Sequence, residues 1–382
     1  MYPHQAERLT EALERGGLDA LVAASPENVA YVTGFWSLSR AVYPATEIYA
    51  VVTRTGTALV VPSIDALAAA EGAADAGHVF TYGRFVLDHG ARPGQVAEPA
   101  STAADALAAA LAALGVRGGR LGLDDERLPA TRATALGDRV AGFKLTAASD
   151  AFVIARLVKS PYEIDCLQQA LRIAEEGINT VLGLLRPGVT EREAATAFEH
   201  EVARQGAAPY CTIIAFGPGS AVPAPWPGDR ALRLGDLVRF DLGCVVKGYR
   251  SDVARMAVMG EPSARQQAVF DALHTGVDAA LDAVRPGMSG GEVFATTVTA
   301  VRAAGLPAFD RHHVGHGIGL EAAEAPRLAP GGGALEMGMV LRVETPWYVV
   351  GEAGLNVKET VLVTRTGAHV LNRSHRGLIV LD

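Results

Sequence analysis

Apolar residues recur at helical spacing after position 160. Ile164, Leu167, Leu171, Ala174, Ile178, Val181 and Leu185 form one stripe, which predicts an amphipathic helix. Ser160-Pro161-Tyr162-Glu163 opens it as a capping box with proline at the first helical position. Arg186-Pro187-Gly188 closes it, and Thr190-x-x-Glu193 caps a second helix. The same order returns further along: Ser263-x-x-Gln266 caps a helix carrying Val269, Leu273, Val277, Leu281 and Val284. That helix stops at Arg285-Pro286-Gly287, and Ser289-x-x-Glu292 caps the next.

Between and after these helices the apolar period shortens to that of strands. LVRFDLGCVV and YRSDVARMAV flank Lys247-Gly248, which predicts a hairpin with a two-residue turn. Pairing Val246 with Tyr249 sets Gly243 opposite Asp252 and makes Asp241 a diagonal neighbour on the same face. LRLGDLVRFD at 232–241 then finds a counterpart in LEMGMVLRVE at 335–344, with a glycine and an arginine at matching distances before an acid. The region 151–382 is therefore expected to be an α+β domain built from a duplicated helix–helix–hairpin unit. Each copy places an acid pair on its hairpin: Asp241 with Asp252, and Glu344 with Glu359.

Upstream, residues 1–24 read as an amphipathic helix (Leu9, Leu13) and an apolar strand. A loop with Pro26 and Asn28 precedes VAYVTGF, and IYAVVTR and TALVVPS read as two strands around Arg54-Thr55-Gly56. Alanine-rich helical stretches at 65–74 and 101–115 alternate with short strands near 78–82 and 120–124. This alternation predicts an α/β domain over 1–150, a scaffold without chemically armed residues.

Composition narrows the function. The chain has 382 residues, 49% of them hydrophobic, with a net charge of −8, which argues against a nucleic-acid partner. No apolar run is long enough for a membrane span, and Cys166, Cys211 and Cys244 have neither a disulfide framework nor a thiolate zinc spacing. A soluble cytoplasmic protein is expected.

Converging carboxylates need a cation or a shared proton. HHVGHGIGL at 312–320 presents His316 from a glycine-rich loop shortly before the second hairpin, and imidazole is a common metal ligand. Carboxylates from both copies with one imidazole suit two divalent ions that share ligands and activate water. Oxygen-rich ligation favours Mn, Co, Fe or Zn.

The motifs RLVKSPYEIDCLQQAL, RPGVTERE, GDLVRFDLGCVVKGYRSDVAR, HHVGHGIGLEAAEAP and VETPWY…VKETVLVT resemble the pita-bread metallopeptidase family of methionine aminopeptidase, Xaa-Pro aminopeptidase and prolidase. RLTEALERGGLDALVAASPENVAYVTGF resembles the creatinase-type N-terminal domain of the prolidase branch. The resemblance implies a homodimer and two divalent ions, manganese foremost, with cobalt, zinc or iron as alternatives. It implies that Asp241 chelates one ion, Asp252 and Glu359 bridge, and His316 and Glu344 hold the other. Glu344 would take and return the proton while a metal-bridging hydroxide attacks an amide carbon.

His312 matches one of three histidines that this family carries around its metals. The other two positions hold Ala224 and Ala323, which implies a small-molecule or short-peptide substrate other than a standard Xaa-Pro dipeptide. A C–N hydrolase, a lyase-type metal enzyme and a non-catalytic metal-binding homologue all remain open. Arg239 and Arg342 share strand parity with Asp241 and Glu344, as candidates to meet a substrate carboxylate or brace a ligand. Trp226 is a candidate lining for an apolar pocket.

Overall fold

The computed structural model describes residues 3–72, 78–85 and 99–382. Two compact units divide the chain at Arg156 and Leu157, a few residues beyond the boundary expected at 150.

The first unit runs α1 Pro3–Gly16, β1 Ala20–Ala23, α2 Pro26–Thr33, α3 Leu38–Val42, β2 Tyr49–Val52, β3 Thr57–Pro62, α4 Ala66–Gly72, β4 His78–Tyr82, α5 Ala103–Ala113, β5 Gly119–Leu123, α6 Ala130–Arg139, β6 Phe143–Ala147 and α7 Ser149–Leu157. Its strands form one mixed sheet in the order β4-β3-β2-β1-β5-β6, the α/β layer expected. The last two residues of the helix expected at 65–74 lie outside the described residues. One expectation is corrected: Pro26 and Asn28 are not in a loop. Ser25 caps α2 by accepting from the Asn28 amide, with Pro26 in the first turn.

The second unit contains α8 Pro161–Leu182, α9 Glu191–Arg204, β7 Ala208–Phe216, β8 Leu237–Val246, β9 Tyr249–Arg250, β10 Val253–Met259, α10 Ala264–Ala283, α11 Gly290–Ala303, β11 Gly315–Gly317, β12 Glu324–Arg327, β13 Val340–Val349, β14 Ala353–Thr364, β15 Gly367–Val370 and β16 Ile379–Leu381. All four capping boxes form, at Ser160, Thr190, Ser263 and Ser289. The strands make two sheets, β16-β10-β8-β7 with β9 on β8, and β12-β11-β13-β14-β15.

The duplication extends to backbone hydrogen bonds. Gly235 donates to Met259 O at 2.7 Å, and Gly338 donates to Val363 O at 2.8 Å. Both glycines have positive φ, 84° and 90°, so the same left-handed turn leads into β8 and β13. Val343, Val357 and Val361 of the second hairpin pack with Leu273 and Val277 of α10 and Val301 of α11. That apolar face fixes which way the alternate residues point. Among the described residues no helix is long and apolar enough to cross a membrane.

Candidate functional site

In the first hairpin Lys247 and Gly248 both have positive φ, 49° and 89°, as a two-residue type I′ turn requires. Val246 pairs with Tyr249, and Asp241 stands opposite Ala254. Counting inward from both ends sets Gly243 opposite Asp252, so the two carboxylates share a pleat face as the sequence predicts. A Cβ on Gly243 would lie 2.0 Å from Ser251 O; close backbone approach demands the glycine.

The second hairpin turns through three residues, 350–352, with Val349 opposite Ala353. Glu344 is therefore opposite Lys358, Arg342 opposite Thr360, and Val343 opposite Glu359. Side chains alternate along a strand, so Arg342, Glu344, Asn356 and Lys358 share one face and Glu359 points to the other. On β11, His316 stands opposite Arg342 and joins the face of Glu344.

These residues form a network of alternating charge. Lys358 Nζ lies 2.6 Å from Asp241 Oδ1 and 2.5 Å from Asp252 Oδ1, with Glu344 Oε2 at 3.8 Å. Arg342 donates to Asp252 and, through Nη2, to Glu344 Oε1 at 2.9 Å. Asn356 Nδ2 donates to Asp241 Oδ2 at 3.1 Å. The Lys358 side chain is 2% exposed, so its ammonium depends on these acids for compensation. Three carboxylates thus meet three cations, Lys358, Arg342 and Arg239, the last 3.5 Å from Asp241.

Glu359 is not brought to this cluster. Its Oε1 lies 3.3 Å from Arg255, whose guanidinium also reaches Glu175 of α8. Glu175 in turn accepts from the Arg373 and Ser374 amides and anchors the C-terminal segment. The bridging role expected for Glu359 is corrected on register: the face position belongs to Lys358.

Three other expectations change. His312 is exposed and sits edge-on to His313, ring centroids 4.5 Å apart. It is His313 that approaches Glu344, at 3.7 Å. Arg239 is fully buried and donates to Val222 O, Pro223 O and the Tyr348 hydroxyl. It braces a loop and Asp241, just as Arg342 braces Asp252 and Glu344. Trp226 is 92% exposed. Ala224 and Ala323 are exposed as well. Sequence reasoning missed Lys358, Asn356 and Arg255; a Lys beside the acid in VKETV was the available signal for the first.

Electrostatics follow from this geometry. Burial alone would raise the Glu344 pKa, but Arg342 and Lys358 reverse the effect and hold it at about 2. Burial lowers the His316 pKa, keeping the ring neutral at neutral pH. Its Nδ1 lies 2.8 Å from Gly317 O; a carbonyl only accepts, so Nδ1 carries the proton and Nε2 is the acceptor nitrogen. Burial raises the Glu359 carboxyl to about 7 against the pull of Arg255.

The expected two-ion set does not fit these side chains. Oxygen ligands hold such ions at about 2.0–2.2 Å, and the room between Asp241 and Asp252 is taken by an ammonium group hydrogen-bonded to both. Among the described residues no group of three or more His, Cys, Asp or Glu is arranged around a common ion position.

Comparison with known proteins gives a consistent frame. The sequence pattern of metallopeptidase family M24 matches residues 165–365, and that of the creatinase/prolidase N-terminal domain matches residues 5–158. An uncharacterized peptidase, YqhT, of Bacillus subtilis is 35% identical over 233 residues, 59% of this chain and 65% of its own. The Xaa-Pro dipeptidase of Pyrococcus furiosus is 32% identical over 227 residues, again 59% and 65%. The matched part therefore spans just under two thirds of these relatives' length. Among solved structures, an Xaa-Pro dipeptidase from Bacillus anthracis superposes with a TM-score of 0.83 at 26% identity, covering 99% of both chains.

Proposed function

We propose that this chain, a member of metallopeptidase family M24, hydrolyses a C–N bond in a short peptide or related small amide, with side chains of its own activating the water. The observation that carries this reading is His316, a neutral buried imidazole on the carboxylate face with Nε2 as its acceptor nitrogen. Nε2 takes a proton from the water whose oxygen bonds to the amide carbon, then returns it to the nitrogen as the C–N bond breaks. Glu344 stays ionised and stabilises the imidazolium between those steps. Alanine at 224 and 323 supports a substrate other than an Xaa-Pro dipeptide. The same reading takes the protein as a cytoplasmic homodimer, on its likeness to the prolidase branch.

A panel of dipeptides and aminoacyl amides in 18O-labelled water tests the proposal. Turnover with label in the acid product, reduced about a hundredfold or more in His316→Ala, is expected. An unaffected His316→Ala rate, or no turnover by the folded wild type, would overturn it. One observation favours a second reading. Lys358 and Arg342 engage all three acids of the cluster, as in a homologue whose site has become structural, and the no-turnover outcome selects it.

A further inference from the structure

We infer that Lys358 and Arg342 are the permanent counter-cations of the carboxylate cluster, and that this protein holds no divalent metal there. This goes beyond the hydrolase reading and does not rest on it. The Lys358 ammonium occupies the bridging position between Asp241 and Asp252, 2.6 and 2.5 Å from one oxygen of each. Arg342 occupies the equivalent position between Asp252 and Glu344. Asn356, an amide that donates to Asp241 Oδ2, takes up another of that residue's lone pairs.

A divalent ion could enter only by displacing Lys358. The ammonium is buried, its side chain only 2% exposed. It would be left buried, unpaired and a few ångströms from a doubly charged ion, which costs several kcal/mol before any metal bond forms. The acid that could offset a second ion, Glu359, faces away toward Arg255. The cations come from the same pleat face as the acids they neutralise. The arrangement is therefore set by strand register: the three-residue turn at 350–352 delivers a base where a two-residue turn would deliver Glu359.

The test is calorimetric titration of the metal-stripped full-length protein with manganese and then zinc, alongside melting curves with and without EDTA. Wild type is expected to show no saturable heat and no EDTA-dependent shift. Lys358→Gln, folded by circular dichroism, is expected to bind manganese at least about a hundredfold more tightly than wild type and to melt higher in its presence. Saturable wild-type binding that Asp241→Asn removes would overturn the inference. A folded Lys358→Gln that still binds no manganese would overturn the role given to Lys358. If that variant does not fold, the wild-type titration decides alone. Neither readout uses turnover, so this inference and the hydrolase proposal can fail separately.

Discussion

Lys358 is the residue on which the site's charge balance turns. Replacing it with methionine keeps the buried stem but leaves Asp241 and Asp252 facing each other without their shared donor. Breaking one partner of a buried ion network costs about 3–5 kcal/mol, and urea unfolding at neutral pH should show a loss of that size. Glu344 gives the pH counterpart. Its folded pKa of about 2 lies below the ordinary carboxyl value, so the folded state holds fewer protons than the unfolded chain between the two. The stability this group contributes is complete above about pH 4.5 and is lost as pH falls toward 2. Unfolding midpoints measured from pH 6 down to pH 2.5 should fall, and the fall should be shallower in Glu344→Gln. Glu359 has the opposite sign: raised to about 7 by burial, it favours the folded state below about pH 4.5, and that share is lost as pH rises to 7.

At the level of elements, the local signals were legible because each has a short-range cause. Four Ser/Thr-x-x-Glu/Gln boxes gave four helix starts, and Lys247-Gly248 gave the first hairpin with its register. The second hairpin was not legible to the same depth. Its turn at 350–352 carries no residue pair that selects a length, and a shift of one residue exchanges the two faces of a strand. The pattern therefore left the facing of Glu359 and Lys358 undecided, and Glu359 was expected in the cluster on the repeat and the resemblance alone. The repeat itself offers a test. Gly235 has φ 84° with open space where a Cβ would stand, whereas a Cβ on Gly338, at φ 90°, would lie 2.8 Å from Val158 Cγ1. Gly235→Ala should cost about 1–2 kcal/mol from backbone strain alone, and Gly338→Ala should cost more. Denaturant unfolding of both variants checks the order.

For the whole molecule, the two units and the duplicated α+β architecture follow from patterns spread over many residues, which single errors do not disturb. The site depends on a few side chains whose facing is decided by one turn, so a chain can keep the fold of the M24 metallopeptidases while the charges inside it are rearranged. The most direct measurement is anomalous diffraction at the manganese edge from crystals of the wild-type protein grown in excess manganese. The account predicts no anomalous peak among Asp241, Asp252 and Glu344, with the Lys358 ammonium within hydrogen-bonding distance of both aspartates. One or two manganese peaks bonded to Asp241 and Asp252, with Lys358 turned away, would contradict it.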